Sequence, residues 1–149
     1  MPQLDSYLFF DGNCAEAMRF YARVLGGELD KMMTYAEGPP GAQCGEGGAP
    51  QGGEATAAAA DRIMHASLSL GGRLLMGSDL PPGQAASGMH GFALSLNYPA
   101  VDEARRVFDA LAEGGSVTMP LDKTFWAEAF GMLTDRFGTP WMVGGGAST

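Results

Sequence analysis

Hydrophobic and polar positions follow the same order twice along the chain: a strand, an amphipathic helix ended by Gly-Gly, then three strands. Apolar spacing of three and four residues predicts one helix over 13–25 and another over 99–111, with Pro99 in the first helical position. Asn13, followed three residues later by Glu16, predicts a side-chain cap on the first helix. Alternating or short apolar runs predict strands at 5–10, 28–35, 63–70, 73–77, 91–97, 117–121, 127–134 and 140–143.

This internal repeat predicts an α+β fold made of two βαβββ modules within one domain, 1–149. The first module spans 1–78 and includes a long Gly/Pro/Ala-rich loop at 38–60. Residues 79–90 form a linker, and 91–149 form the second module. Each half offers one helix for a sheet with two faces, so we expect the halves to combine as curved mixed sheets around a cavity, a common place for ligands.

Composition narrows the possible functions of the chain. The sequence has 149 residues, of which 46% are hydrophobic and 17% charged, and its formal net charge is −8. That charge argues against nucleic acid and against an anionic membrane surface as partners, because both attract clustered Lys and Arg. No apolar run approaches the roughly 20 residues of a membrane-spanning helix, and the first residues lack signal-peptide features. We therefore expect a cytoplasmic protein with Cys14 and Cys44 as reduced thiols, since no CxxC spacing occurs.

Several motifs resemble one family over nearly the whole chain. Their order and spacing are similar to those of the PhnB-like branch of the glyoxalase/bleomycin-resistance/extradiol-dioxygenase (vicinal oxygen chelate) superfamily. The resemblance implies paired βαβββ modules, a homodimer, and a small-molecule cavity formed between modules. The motifs are Tyr-Leu-Phe-Phe-Asp-Gly-Asn-Cys at 7–14, Phe20-Tyr21, Leu-Met-Gly-Ser-Asp at 75–79, Phe-Ala-Leu-Ser-Leu-Asn at 92–97, Phe125-Trp126, and Asp-Arg-Phe-Gly-Thr-Pro-Trp at 135–141.

The resemblance also locates the positions at which metal enzymes of this superfamily carry His, Gln or Glu ligands. In this sequence the four positions fall at Ser6, Met76, Gly91 and Met142. These residues are poor donors for the usual transition metals, which bind imidazole and carboxylate groups. His90 precedes the third position by one residue, and a one-residue shift turns a strand side chain to the opposite face. We therefore expect neither a metal nor another cofactor.

The residues expected to line the cavity combine these positions with nearby strand residues. His65 is either a structural histidine, bonded to a backbone carbonyl or water, or a general base. Trp126 is either a core residue or a lid over the cavity. Met76 and Met142 are expected to fill space with adaptable thioethers. The full expected set is Ser6, Leu8, His65, Met76, Gly91, Trp126 and Met142.

Three classes of function stay open at this point. The first is a metal-free small-molecule binding protein, by analogy with bleomycin-resistance members that sequester a drug. The second is an enzyme of the same superfamily, whether isomerase, dioxygenase or the family-labelled demethylubiquinone methyltransferase, acting on an unknown small molecule through side chains. No Gly-rich nucleotide-binding motif supports the methyltransferase label. The third is a structural or interaction protein. Whether modules pair within or between chains is also open.

Overall fold

The computed structural model describes residues 1–37, 61–81 and 88–148. The chain divides into two units, Met1–Ala86 and Ser87–Thr149, and this division falls inside the segment 79–90 that the sequence assigns to a linker. The predicted long loop at 38–60, most of that linker, and Cys44 lie outside the described residues. The expectation of a single domain over 1–149 stays a prediction.

The first unit is one mixed sheet with one helix. Its sheet has the order β1-β4-β3-β2, in which β1 and β4 are parallel and the other pairs are antiparallel. Helix α1 packs against this sheet through an apolar side that includes Ala17, Met18, Tyr21 and Val24. The elements are β1 (Ser6–Phe10), α1 (Cys14–Leu25), β2 (Glu28–Thr34), β3 (Ile63–Leu70) and β4 (Arg73–Asp79).

The second unit repeats this topology. Its sheet has the order β5-β8-β7-β6, with β5 and β8 parallel and the other pairs antiparallel. Helix α2 packs through Ala104, Val107, Phe108 and Leu111. The predicted α+β class and the repeated βαβββ order are confirmed. The elements are β5 (Leu94–Tyr98), α2 (Val101–Ala112), β6 (Ser116–Asp122), β7 (Ala127–Thr134) and β8 (Pro140–Ser148).

The cap on α1 differs from the prediction. Asn13 occupies the N-cap position, but its side chain makes no capping hydrogen bond. Instead, the buried carboxylate of Asp79 accepts from the backbone N–H groups of Gly12 and Cys14, at 2.8 and 3.0 Å. Its other oxygen accepts from the N–H of Ile63 at 2.8 Å. A residue 65 positions away therefore accepts from the first N–H group of the helix, and it also joins the end of β4 to the start of β3.

The start of the second module also differs from the prediction. Gly91 has φ +81°, a left-handed conformation incompatible with an extended strand, and β5 begins only at Leu94. Pro99 is not helical, because Ala100 is the extended N-cap residue and α2 begins at Val101. Two acidic residues follow in its first turn, where carboxylates interact favourably with the helix dipole.

The glycines after each helix explain why both halves carry Gly-Gly. A Cβ on Gly27 would lie 2.6 Å from the carbonyl oxygen of Ser69, the residue before the end of β3. A Cβ on Gly115 would collide in the same way with the carbonyl oxygen of Thr134, at the end of β7. In both units the chain leaving the helix passes so close to a strand end that only glycine fits.

Candidate functional site

Each strand of the first sheet presents one row of side chains to α1 and one row to the opposite face. A Cβ on Gly77 would lie 3.1 Å from the ring of Phe10 and 3.4 Å from the Cys14 sulfur, so Gly77 faces α1. Leu8 is its register partner in the parallel pair β1–β4. Because side chains alternate along a strand, Leu8 and Phe10 also face α1, and both are buried.

The remaining side chains form a group on the opposite side, which we call the far face of the first sheet. Tyr7 pairs with Met76 across β1–β4, and Met76 pairs with Ser67 across β3–β4. These three residues therefore form a row across the sheet, and the neighbouring row contains Phe9 and His65. The far face of the first sheet is defined by Tyr7, Phe9, His65, Ser67 and Met76.

A hydrogen bond between two aromatic side chains gives the far face its polar feature. The Tyr7 hydroxyl lies 3.2 Å from Nδ1 of His65, in a half-buried setting. The two rings are tilted by 34° with centroids 5.8 Å apart, and the Phe9 ring lies 5.2 Å from that of Tyr7. Tyr7 thus contacts both an apolar ring and an imidazole.

The register shows that Ser6, the first of the four expected metal-ligand positions, does not lie beside Met76. Ser6 pairs with Leu75 and shares the α1 side with Leu8, whereas Tyr7 is the residue beside Met76. Leu8 therefore does not reach the far face. The sequence reasoning missed Tyr7, because both faces of β1 carry aromatic side chains and only the register with β4 shows which face includes Met76.

The second sheet has an equivalent face opposite α2. A Cβ on Gly131 would lie 2.7 Å from the Phe108 ring, so Gly131 faces α2 and its neighbours Phe130 and Met132 face away. Met142 pairs with Met132 across β7–β8 and with Ser95 across β5–β8. Ser95, not Gly91, is therefore the residue beside Met142, and Gly91 lies outside the sheet.

Trp126 belongs to an aromatic cluster at the start of β7. Its ring packs edge-on against Phe130, with centroids 5.4 Å apart, and against Phe125 at 4.6 Å. Trp126 is 40% exposed, which excludes a fully buried core role. The cavity expected from combining the two modules, and the place of Trp126 beside it, stay predictions.

The donor set on these faces suits a metal poorly. On the first sheet Tyr7, Met76 and His65 provide a phenol, a thioether and one imidazole. On the second sheet Ser95 and Met142 provide a hydroxyl and a thioether. Across 1–37, 61–81 and 88–148, no three His, Cys, Asp or Glu side chains come together as a potential ion-binding group. Transition-metal sites usually need three or four imidazole, thiolate or carboxylate donors, so these residues do not fit the metal of the superfamily's enzymes. Within the same residues no helix is long and apolar enough to cross a bilayer.

The duplicated topology and these two faces define the class of protein. Residues 3–143 match the model of the Glyoxalase/Bleomycin resistance protein/Dioxygenase superfamily. The chain belongs to this superfamily, as its motifs indicated.

Individual relatives place the chain more closely. It is 41% identical over 143 residues to Protein YjdN of Escherichia coli (strain K12), covering 96% of this chain and 94% of the relative. The crystal structure of protein PA1353 from Pseudomonas aeruginosa is 44% identical, with 98% of each chain covered and a TM-score of 0.82. The Bacillus cereus PhnB protein, described as a candidate 3-demethylubiquinone-9 3-methyltransferase, shares the fold at 24% identity and a TM-score of 0.74, covering 97% and 99%.

Proposed function

We propose that this protein is a metal-free small-molecule binding protein of the superfamily, and that its ligand contacts the far face of the first sheet. The observation that carries the proposal is the Tyr7–His65 hydrogen bond, set among Phe9 and Met76 on the side of the sheet away from α1. Ligand sites typically combine apolar and aromatic surface with a few fixed polar groups. This face has both.

The chemistry of the face supports an apolar or aromatic ligand. Thioethers adapt to irregular shapes and make favourable contacts with aromatic rings, and aromatic pairs prefer tilted or edge-on packing. Phe9 is 54% exposed, so its ring offers contact area. The weak metal-donor set described above supports the metal-free part of the proposal.

Methionine-methyl NMR tests the site directly. The protein is labelled with ¹³C-methyl methionine and screened against a library of small aromatic molecules. We expect hits to shift the Met76 methyl signal, assigned with Met76→Leu, and to leave Met18 unchanged, because Met18 is fully buried on the apolar side of α1. Hits that shift Met18 and spare Met76 would refute the assigned face. A stoichiometric, tightly bound transition metal in the purified protein would refute the metal-free part.

An enzyme is the second candidate, and one contact favours it. A hydrogen bond to one ring nitrogen orients an imidazole, which is how general bases are held in many active sites. Tyr7 makes such a bond to Nδ1 of His65. For His65 to act as a base, Nδ1 would donate to the Tyr7 oxygen and Nε2 would be the unprotonated nitrogen. If a bound molecule is also converted, His65→Gln should abolish turnover and retain binding. Unchanged turnover in that variant would reject His65 as the base.

We also propose a cytoplasmic homodimer. The dimer rests on the resemblance to the PhnB-like branch, and the cytoplasm on the expected reduced thiols, of which Cys14 is a free, buried cysteine in the described part of the chain. Size-exclusion chromatography with light scattering tests the assembly, and a monomer at micromolar concentration would refute it. Fractionation of the native host's cells tests the location.

A further inference from the structure

We infer that Tyr7 is a positioning residue that makes His65 a hydrogen-bond donor, and that the site selects neutral, flat conjugated molecules with a carbonyl oxygen. This inference rests on the proposed function, because it names the ligand class of the same face. Its starting point is the 3.2 Å contact between the Tyr7 hydroxyl and Nδ1 of His65.

The direction of that hydrogen bond follows from the two groups. A phenol O–H is more acidic than a neutral imidazole N–H, and an imidazole nitrogen is a better acceptor than a phenol oxygen. Tyr7 therefore donates and Nδ1 accepts, which places the imidazole proton on Nε2. The histidine then has an N–H group that this bond does not use, and an N–H requires an acceptor as its partner. A carbonyl oxygen on the ligand supplies one.

The shape of the ligand follows from the rows across the sheet. Tyr7 and Met76 are adjacent in one row, and Phe9 and His65 lie in the next. The Tyr7 ring is within 5.8 Å of both its aromatic neighbours, centroid to centroid. A flat ring system can pack against the aromatic and thioether groups while its carbonyl reaches the imidazole.

Charge at the β2 edge favours a neutral acceptor over a carboxylate. Glu28 pairs with Ser69, and the Asp30 carboxylate accepts a hydrogen bond from the Ser69 hydroxyl. Lys31 pairs with Ser67 in the neighbouring row. Two carboxylates and one ammonium leave this edge net negative, in a chain with a formal net charge of −8. Such a field disfavours an anionic ligand.

Three matched probes test the inference by equilibrium dialysis. 2-Acetylnaphthalene carries the carbonyl, 2-isopropenylnaphthalene replaces that oxygen with CH₂, and 2-naphthoate carries an anionic group. We expect the ketone to bind roughly five-fold more tightly than the alkene, the size of one net hydrogen bond, and more tightly than the naphthoate. His65→Leu should bring the ketone-to-alkene ratio to about one, and Tyr7→Phe should lower it. A purely structural role for Tyr7 would weaken both neutral probes equally and leave the ratio unchanged.

Controls and a second measurement separate the possible failures. His90→Gln and Tyr98→Phe, matched substitutions in the second unit, should keep the wild-type ratio. Histidine ¹⁵N shifts, assigned with His90→Gln, should show a protonated Nε2 and an unprotonated Nδ1 at neutral pH. A protonated Nδ1, equal binding of ketone and alkene, or tighter naphthoate binding would overturn the inference and leave the proposed function standing. Absence of saturable binding by all three probes would overturn the inference and remove support for the proposed face.

Discussion

The carboxylate of Asp135 holds together the turn between β7 and β8, and its replacement by asparagine gives a sharp test of the structure. Asp135 is 3% exposed. One oxygen accepts from the backbone N–H groups of Phe137 and Thr139, at 2.8 and 3.0 Å. The other accepts from the indole N–H of Trp141 at 2.8 Å. These three partners are donors, so their contacts require two acceptor oxygens.

Asparagine keeps one acceptor and replaces the other with a donor. If the asparagine oxygen accepts from the two backbone N–H groups, the NH₂ group faces the indole N–H, which is also a donor. If the amide is flipped, the NH₂ group instead faces the two backbone N–H donors. The substitution removes a hydrogen bond to a charged group, worth about 1.5–3 kcal/mol, and leaves a buried donor unpaired. We expect Asp135→Asn to lower the free energy of unfolding by about 2–4 kcal/mol.

Urea unfolding followed by tryptophan fluorescence measures this loss. The sequence contains two tryptophans, so a Trp126→Phe background makes Trp141 the reporter of the second unit. Asp109 is exposed, so Asp109→Asn in the same background serves as the control. Its free energy of unfolding should stay within about 0.5 kcal/mol of the Trp126→Phe parent. A loss below about 1 kcal/mol for Asp135→Asn would refute the three-donor geometry, because the opposed donors alone should exceed that value.

A double-mutant cycle isolates the contact with the indole. Trp141→Phe removes the N–H that opposes the asparagine amide, and here the change is followed by circular dichroism. In that background the cost of Asp135→Asn should fall by at least about 1 kcal/mol, since directly contacting residues couple by 0.5–3 kcal/mol. Equal costs in both backgrounds would show that Trp141 is not the source of the penalty.

Three further predictions concern the first unit. Burial, and secondarily the nearby Asp79 charge, raises the pKa of Cys14 to about 12, so a Cys44→Ser variant should react with a thiol reagent only after unfolding. A backbone hydrogen bond from Leu74 lowers the pKa of Asp5. The ionised carboxylate therefore stabilises the fold above the unfolded pKa of about 4, and this contribution is lost as pH falls through the lower folded pKa. Between pH 6 and 3, the urea midpoint of Asp5→Asn should fall less than the midpoint of the wild type. β2 and β3 are paired as far as Thr34 and Ile63, so their pairing does not depend on residues 39–59. Replacing residues 39–59 with a short Gly/Ser turn should therefore preserve the circular dichroism spectrum and cooperative unfolding, and loss of either would contradict this prediction.

Local patterns predicted most of the fold because both halves use short-range signals. β3 and β7 have the predicted bounds, 63–70 and 127–134. Gly71 and Gly72 both have positive φ, as a two-residue hairpin turn of type I′ requires. These features depend on residues that are close together in the chain, so local sequence patterns are enough to predict them.

Features that depend on distant partners were not predictable in the same way. The cap on α1 comes from Asp79, which alternation or helix periodicity cannot connect to Gly12. β8 continues five residues beyond its predicted end at 143, through a glycine run with no apolar signal, because Gly144 and Gly145 pair with β7. In the candidate site, His65 and Met76 were identified, but Tyr7 emerged only from the register between β1 and β4.

The two units share the same backbone topology, but their side chains differ on the sheet faces away from the helices. The glycines at 27 and 115 approach the carbonyls of Ser69 and Thr134 in equivalent positions. Four residues before Ser69 in β3 is His65, and four residues before Thr134 in β7 is Phe130, so these two residues occupy equivalent positions. One is an imidazole bonded to a phenol, and the other is a phenyl ring packed against an indole.

The residues beside Met76 and Met142 also differ between the two units. Tyr7 beside Met76 corresponds to Ser95 beside Met142, since both pairs join the parallel strands of their sheets. The repeated backbone fold needs glycine in both units wherever a strand passes close to a helix end. Side chains that contact a ligand need only complement that ligand, so they can differ between the two units. The methionines fit either unit as adaptable apolar groups, so the hydrogen-bonded pair in the first unit is where ligand specificity should reside, and variants there should alter binding without altering the fold.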